Sequence, residues 1–146
     1  PGNALTSHVR GSINPQAPNV VLWSKGKSGD QLHFCWSAER VNGERVGRFS
    51  IRTKEGLFTV EGDAGADGDI HDWIARYTGE SLELWTDGNK VASVPAQGEL
   101  LGSDSPILIG SATDANEPTG NFTGELIEVS LWNESLTDAQ ITMLAN

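Results

Sequence analysis

Three tryptophans bound the chemistry open to this sequence. Trp23, Trp85 and Trp132 each follow a leucine, Leu22, Leu84 and Leu131, inside runs in which apolar and polar residues alternate. Side chains on a strand point alternately to its two faces, so leucines turned to a core leave the tryptophans on the opposite face. An indole ring there can stack on the apolar face of a sugar ring, or can be half buried against a second layer of protein. Glu83 has the phase of Trp85 and offers a carboxylate to sugar hydroxyls. Arg48 and Arg52 alternate with Phe49 and Ile51, so their guanidinium groups also point off the core, where they can bind carboxylates or hydroxyls, or pair across strands with the surplus acids. These six residues are the candidate ligand-binding set.

A second cluster has the chemistry of a hard cation. The stretch EGDAGADGDIHD, residues 61–72, gathers Asp63, Asp67, Asp69 and Asp72 among glycines. Carboxylate oxygens on a flexible loop suit calcium, although the spacing is not that of an EF-hand, and a solvated turn uses the same residues. Asp63, Asp67 and Asp69 are the candidate ligands. Support for catalysis is thinner. Glycoside hydrolysis needs two carboxylates across the scissile bond, and the nearest pair with strand spacing is Glu61 and Asp63. His8, His33 and His71 lie far apart with no near-neighbour ligand spacing, and no Ser-His-Asp order stands out, so no zinc site, triad or other catalytic residue is assigned.

The elements that must position these residues are strands. Period-two segments bounded by glycine, asparagine, aspartate or proline recur along the chain, among them NVVLWS, QLHFCW, GRFSIRT, LFTVEG, SLELWT and FTGELIEVSLW. Turn signals every eight to twelve residues or so indicate an all-β, two-sheet antiparallel sandwich of the jelly-roll kind. Leu22, Phe34, Trp36, Phe49, Ile51, Ile74, Leu82, Leu84, Leu108, Phe122 and Leu131 are the expected core, with Trp73 beside them. Asp87-Gly88 predicts a tight hairpin, since both residues tolerate positive φ. One short helix is expected at the end, where Thr137 and Gln140 have capping-box spacing and Leu136 and Ile141 could form a hydrophobic staple.

Composition narrows the partners. The 146 residues are read as one domain, and the opening Pro1-Gly2 as a module excised from a larger protein. Twenty acidic against ten basic residues give a net charge of -10, which disfavours nucleic acid and anionic membrane surfaces. No apolar run approaches the roughly twenty residues of a membrane span, so membrane insertion is not expected. Cys35 is the single cysteine and cannot form an internal disulfide. NFT at Asn121 and NES at Asn133 match glycosylation acceptors, which matter only in a eukaryotic secretory setting.

DWIARYTGESLELWTDGNKV, SPILIGSA and NFTGELIEVSLWNESLTDAQI, in that order, resemble the second half of a laminin-G-like, concanavalin-A-like jelly-roll module. The matching positions are Trp73, Asp87 and Gly88, Leu108 to Gly110, Phe122 and Gly124, and Leu136 with Thr137; VVLWSKG resembles an earlier strand of the same family. The likeness covers about residues 18 to 144, and in such a fold one more strand would precede LTSHVRG. It implies a non-catalytic module, extracellular or at the cell surface, that binds glycan or a protein partner, in some members through calcium. Ile127 stands where the family commonly has a carboxylate, and Ala66 where related hydrolases have a further glutamate. The resulting expectation is a carbohydrate-binding module for a neutral or weakly charged glycan, with an adhesive module bound to a protein or neighbouring domain, or a degenerate hydrolase, as the alternatives.

Overall fold

The computed structural model describes residues 4–13, 20–26, 32–41, 44–63, 68–100, 107–109, 112–114, 117–119, 124–132 and 134–144, and side chains within 4–13, 46–62, 68–100, 125–132 and 134–144. Among the described residues twelve strands run in order: β1 (Leu5–Ile13), β2 (Val20–Gly26), β3 (Leu32–Val41), β4 (Glu44–Thr53), β5 (Gly56–Asp63), β6 (His71–Tyr77), β7 (Ser81–Thr86), β8 (Asn89–Pro95), β9 (Ile107–Ile109), β10 (Ala112–Asp114), β11 (Glu117–Thr119) and β12 (Gly124–Trp132). The helix α1 (Asp138–Leu144) follows. The first sheet has the order β12-β1-β6-β7-β8, the second β5-β4-β3-β2-β9, and β10-β11 is a separate hairpin. All pairings among the described residues are antiparallel. This is the expected sandwich, with no helix among the described residues long and apolar enough to cross a membrane.

The core lies between the sheets. Leu5, Val9 and Ile13 of β1, Trp73, Ala75 and Tyr77 of β6, and Leu82 and Leu84 of β7 meet Phe49 and Ile51 of β4 and Val60 of β5. Period-two alternation accounts for each set. Leu131 packs against the same cluster, partly buried. Two expectations need correction here. Ile74 is buried but on the outer face of the first sheet, because its neighbours Trp73 and Ala75 take the core-facing phase of β6. Glu83 and Trp85 are also buried, so both faces of β7 are covered.

Local signals hold where the backbone is tight. Asp87 and Gly88 have φ of 51° and 86°, the doubly positive turn that joins β7 to β8. Gly11 follows a register shift between β1 and β12, where an added Cβ would sit 2.2 Å from the Glu125 carbonyl oxygen. At α1 the Thr137 N–H donates to Gln140 Oε1 and the Gln140 N–H to Thr137 Oγ1, at 2.8 and 3.2 Å, completing the capping box. Leu136 and Ile141 are buried together as the staple requires.

Candidate functional site

The second sheet carries the first candidate surface. On β4 the core residues Phe49 and Ile51 alternate with Arg48, Ser50 and Arg52 on the opposite face. β5 sets Glu61 opposite Arg48 and Thr59 opposite Ser50. Arg48 donates from Nε and Nη2 to Glu61 Oε2 at 3.1 and 2.6 Å, and the Ser50 and Thr59 hydroxyls are 2.9 Å apart. Arg48, Arg52 and Thr59 are half-buried, Ser50 is buried between the two arginines and Glu61 is exposed, so the accessible groups of the row are the guanidiniums, the Thr59 hydroxyl and the Glu61 carboxylate. Such a row can exchange hydrogen bonds with a polyhydroxylated ligand. On the other side of β4, register places Ser37 opposite Arg48 and Cys35 opposite Ser50.

The outer face of the first sheet is organised differently. Trp85 is 7% exposed and packs with Ile74, Leu136 and Ile141, with Trp132 and Leu144 against them. Its indole N–H donates to Glu83 Oε1 at 3.0 Å. Arg76, directly opposite Glu83, donates Nε to the same oxygen at 2.9 Å and Nη1 to the Leu136 carbonyl at 2.7 Å, and reaches Asp138 at 2.8 Å. The Arg76 guanidinium also lies 5.4 Å from the Trp85 ring centre, within cation–π range. Burial pushes the Glu83 carboxyl up, but the hydrogen bonds from Trp85 and Arg76 outweigh it and hold the group below its ordinary value. Trp85 and Glu83 therefore anchor the C-terminal segment instead of facing a ligand, which corrects the expectation drawn from alternation. Thr6 adds to the anchor, donating from Oγ1 to the Glu134 carbonyl and accepting from the Leu136 N–H, at 2.7 and 3.0 Å.

Of the remaining tryptophans, Trp132 is half-buried at the end of β12 and lines a groove against α1. The side chain of Trp23 lies outside the described residues, as do those of Leu22, Phe34, Trp36, Leu108 and Phe122. The β2 backbone shifts register between Val21 and Trp23, which pairs Trp23 with Trp36 and puts it in the cross-strand row of the buried Phe49. A bulge of this kind displaces the phase counted from Leu22.

The aspartates divide. Asp72 is buried, bonded twice by Arg10 at 3.0 and 3.1 Å and 2.7 Å from His8 Nε2. Burial raises its carboxyl pKa, but the bonds from Arg10 and His8 prevail and lower it. Asp87 accepts from the Asp72 N–H at 2.9 Å and lies 2.6 Å from His71 Nδ1, so the hairpin turn is tied to β6. No local signal links residues 8, 10 and 72, because strand order alone brings β1 beside β6. Asp69 is exposed, while the side chains of Asp63 and Asp67 lie outside the described residues. Among the described residues no three His, Cys, Asp or Glu side chains are grouped to hold a metal.

Comparison with known proteins agrees with this architecture. The fold is similar to the CBM40 module of the Ruminococcus gnavus IT-sialidase, solved with α2,3-sialyllactose, at 15% identity and a TM-score of 0.74 over 98% of this chain and 83% of that one. It is similar to the native heptameric SAP-like pentraxin of Limulus polyphemus, at 13% identity and a TM-score of 0.75 over 99% and 70% of the two chains. Domains LG4-5 of the mouse laminin α1 chain match at 19% identity and a TM-score of 0.65, over 92% of this chain and 36% of that one. Curated protein sequences give no match. A laminin G family model matches residues 9–142, nearly the whole chain, and the protein belongs to that family, within the concanavalin A-like lectin/glucanases superfamily.

Proposed function

We propose that this domain is a non-catalytic carbohydrate-binding module of an extracellular or cell-surface protein, and that glycan binds across the outer face of β4 and β5. The observation that carries the reading is the outward row of Arg48, Ser50 and Arg52 beside Thr59 and Glu61 on a sheet whose other face is core. The bound sialyllactose of the bacterial CBM40 neighbour supports a glycan role for a fold of this kind. Glu61, the acid of the Glu61/Asp63 pair whose side chain is described, is held by Arg48, which favours binding over hydrolysis. A glycan array followed by titration tests the reading. Arg48→Ala with Arg52→Ala is expected to weaken the best-bound glycan by about ten- to a hundredfold, the scale of losing a hydrogen bond to a charged group. Exposed ion pairs contribute about 0 to 1 kcal/mol, so melting should move little.

Calcium at the aspartate loop is a further part of the proposal. Gly68 is anchored by its N–H to the Ile13 carbonyl at 3.1 Å, which fixes one end of the loop beside the exposed Asp69. Bound calcium would raise the melting temperature by mass action, and Asp67→Ala and Asp69→Ala would reduce the rise. Identical melting curves in calcium and in chelator would remove the metal from the account.

A protein-binding, adhesive role is the second reading. Ile127 on edge strand β12 and Met143 on α1 are exposed apolar side chains, and they favour it. Binding of a protein partner with no response to any glycan would establish that role instead.

A further inference from the structure

We propose that the groove between the end of β12 and α1 is a second carbohydrate subsite, for a neutral sugar bearing an apolar substituent, such as an N-acetylhexosamine or a 6-deoxyhexose. The inference rests on the reading of the domain as a glycan binder, but it concerns the opposite sheet from Arg48 and Arg52. The groove has a volume of about 380 Å³ and is lined by Trp132, Glu134, Leu136, Gln140, Met143 and Leu144. That is the size of a small-ligand site, and the lining has the usual mixture of apolar surface with a few polar groups.

Each part has a function in recognising such a sugar. Trp132 is half-buried, supported from behind by the Trp85 and Ile74 cluster, so the part of its ring in the groove is a fixed platform for the apolar face of a pyranose. Gln140 Oε1 is occupied by the Thr137 N–H, which orients the carboxamide and leaves its NH2 as a donor. Glu134 is exposed and supplies an acceptor, its position held through the Thr6 hydroxyl on its carbonyl. Met143, 74% exposed, and Leu144 give the apolar surface that an acetamido methyl or a 6-deoxy methyl would cover. Among the described residues the lining contains a carboxylate and no cationic side chain, so a sugar acid would meet repulsion there. The walls are preformed, since Thr6 and Arg76 both fix the backbone at Leu136.

Met143 is the chain's single methionine, so its methyl resonance reports on the groove alone. The test is titration of the whole domain with methyl N-acetylglucosaminide, methyl fucoside, methyl glucoside and N-acetylneuraminic acid, followed by the Met143 methyl and the Trp132 indole N–H signals. The N-acetyl or 6-deoxy glycoside should shift both and bind at least about threefold tighter than methyl glucoside, the gain from covering roughly one methyl group. N-acetylneuraminic acid should leave both signals in place. Trp132→Ala should weaken binding about tenfold or more, and Met143→Ala, a surface change that leaves the fold intact, about threefold. Arg48→Ala with Arg52→Ala should change none of these values. Absence of shifts with every neutral glycoside, equal binding of the sugar acid, or affinity unchanged in Met143→Ala would overturn the subsite. Glycan binding that depends on Arg48 and Arg52 would survive that outcome, whereas failure of the function proposal itself would appear as loss of both.

Discussion

Replacing Arg76 by alanine should destabilise the domain by about 3 to 5 kcal/mol, measured by denaturant or thermal unfolding. The substitution leaves Glu83 buried without its cation and frees the Leu136 carbonyl and Asp138 from their donor. Removing one member of a buried pair costs more than the pair contributes net, since the remaining charge is still desolvated. α1 should loosen first, because Arg76 is a polar link between the first sheet and the start of the helix. The same pair shapes the acid limb of the stability curve. Glu83 has a lowered carboxyl pKa in the folded state, so its contribution is present above the ordinary carboxylate value near 4.5 and is lost as pH falls through the lowered one. Asp72 acts in the same sense from its ordinary value of 3.8. Without Arg76 the burial that pushes the Glu83 carboxyl up loses its main cationic opponent, so the stability gap between the variant and the native chain should narrow as pH falls. A variant as stable as the native chain would mean that the network is incidental.

Trp85→Ala should cost about 3 to 5 kcal/mol, comparable with the 2 to 5 kcal/mol or so expected for Leu84→Ala, and should leave glycan affinity at the Arg48 and Arg52 face, on the opposite sheet, unchanged. The indole fills the space between the first sheet and α1 and makes the hydrogen bond that helps hold Glu83 ionised. Its loss leaves both a cavity and a poorly compensated carboxylate. Lys90 Nζ lies 5.9 Å from the ring centre, so two cations, Arg76 and Lys90, are within cation–π range of the ring. If Trp85→Ala were stable but lost glycan binding, the assignment of this ring to the anchor would be wrong.

These two residues mark the limit of what the sequence discloses. Alternation correctly separated Leu82 and Leu84 from Glu83 and Trp85, and the Asp87-Gly88 turn and the Thr137 cap were legible because their signals span only a few residues. What covers an outer face is a tertiary fact, and here it is a helix some fifty residues further along the chain. A local clue did exist: Arg76 and Glu83 stand at mirror positions about the 78–80 turn, where opposite charges pair directly across the hairpin. Ile74 misled because HDWIARY places two bulky apolar residues side by side, and only one phase can face the core. The bulge before Trp23 shows the complementary failure, in which a correct period is carried through a register shift that composition does not announce. The row of Arg48, Ser50 and Arg52 was readable because β4 is regular and Phe49 and Ile51 define its inner face.

The most direct measurement of the central claim is glycan titration of the intact domain against the Arg48→Ala/Arg52→Ala variant, with unfolding curves recorded on the same samples. The account predicts a glycan whose affinity falls about ten- to a hundredfold in the variant while the unfolding midpoint stays near that of the native domain. Undiminished affinity in a folded variant, or no glycan bound by the native domain, would contradict it.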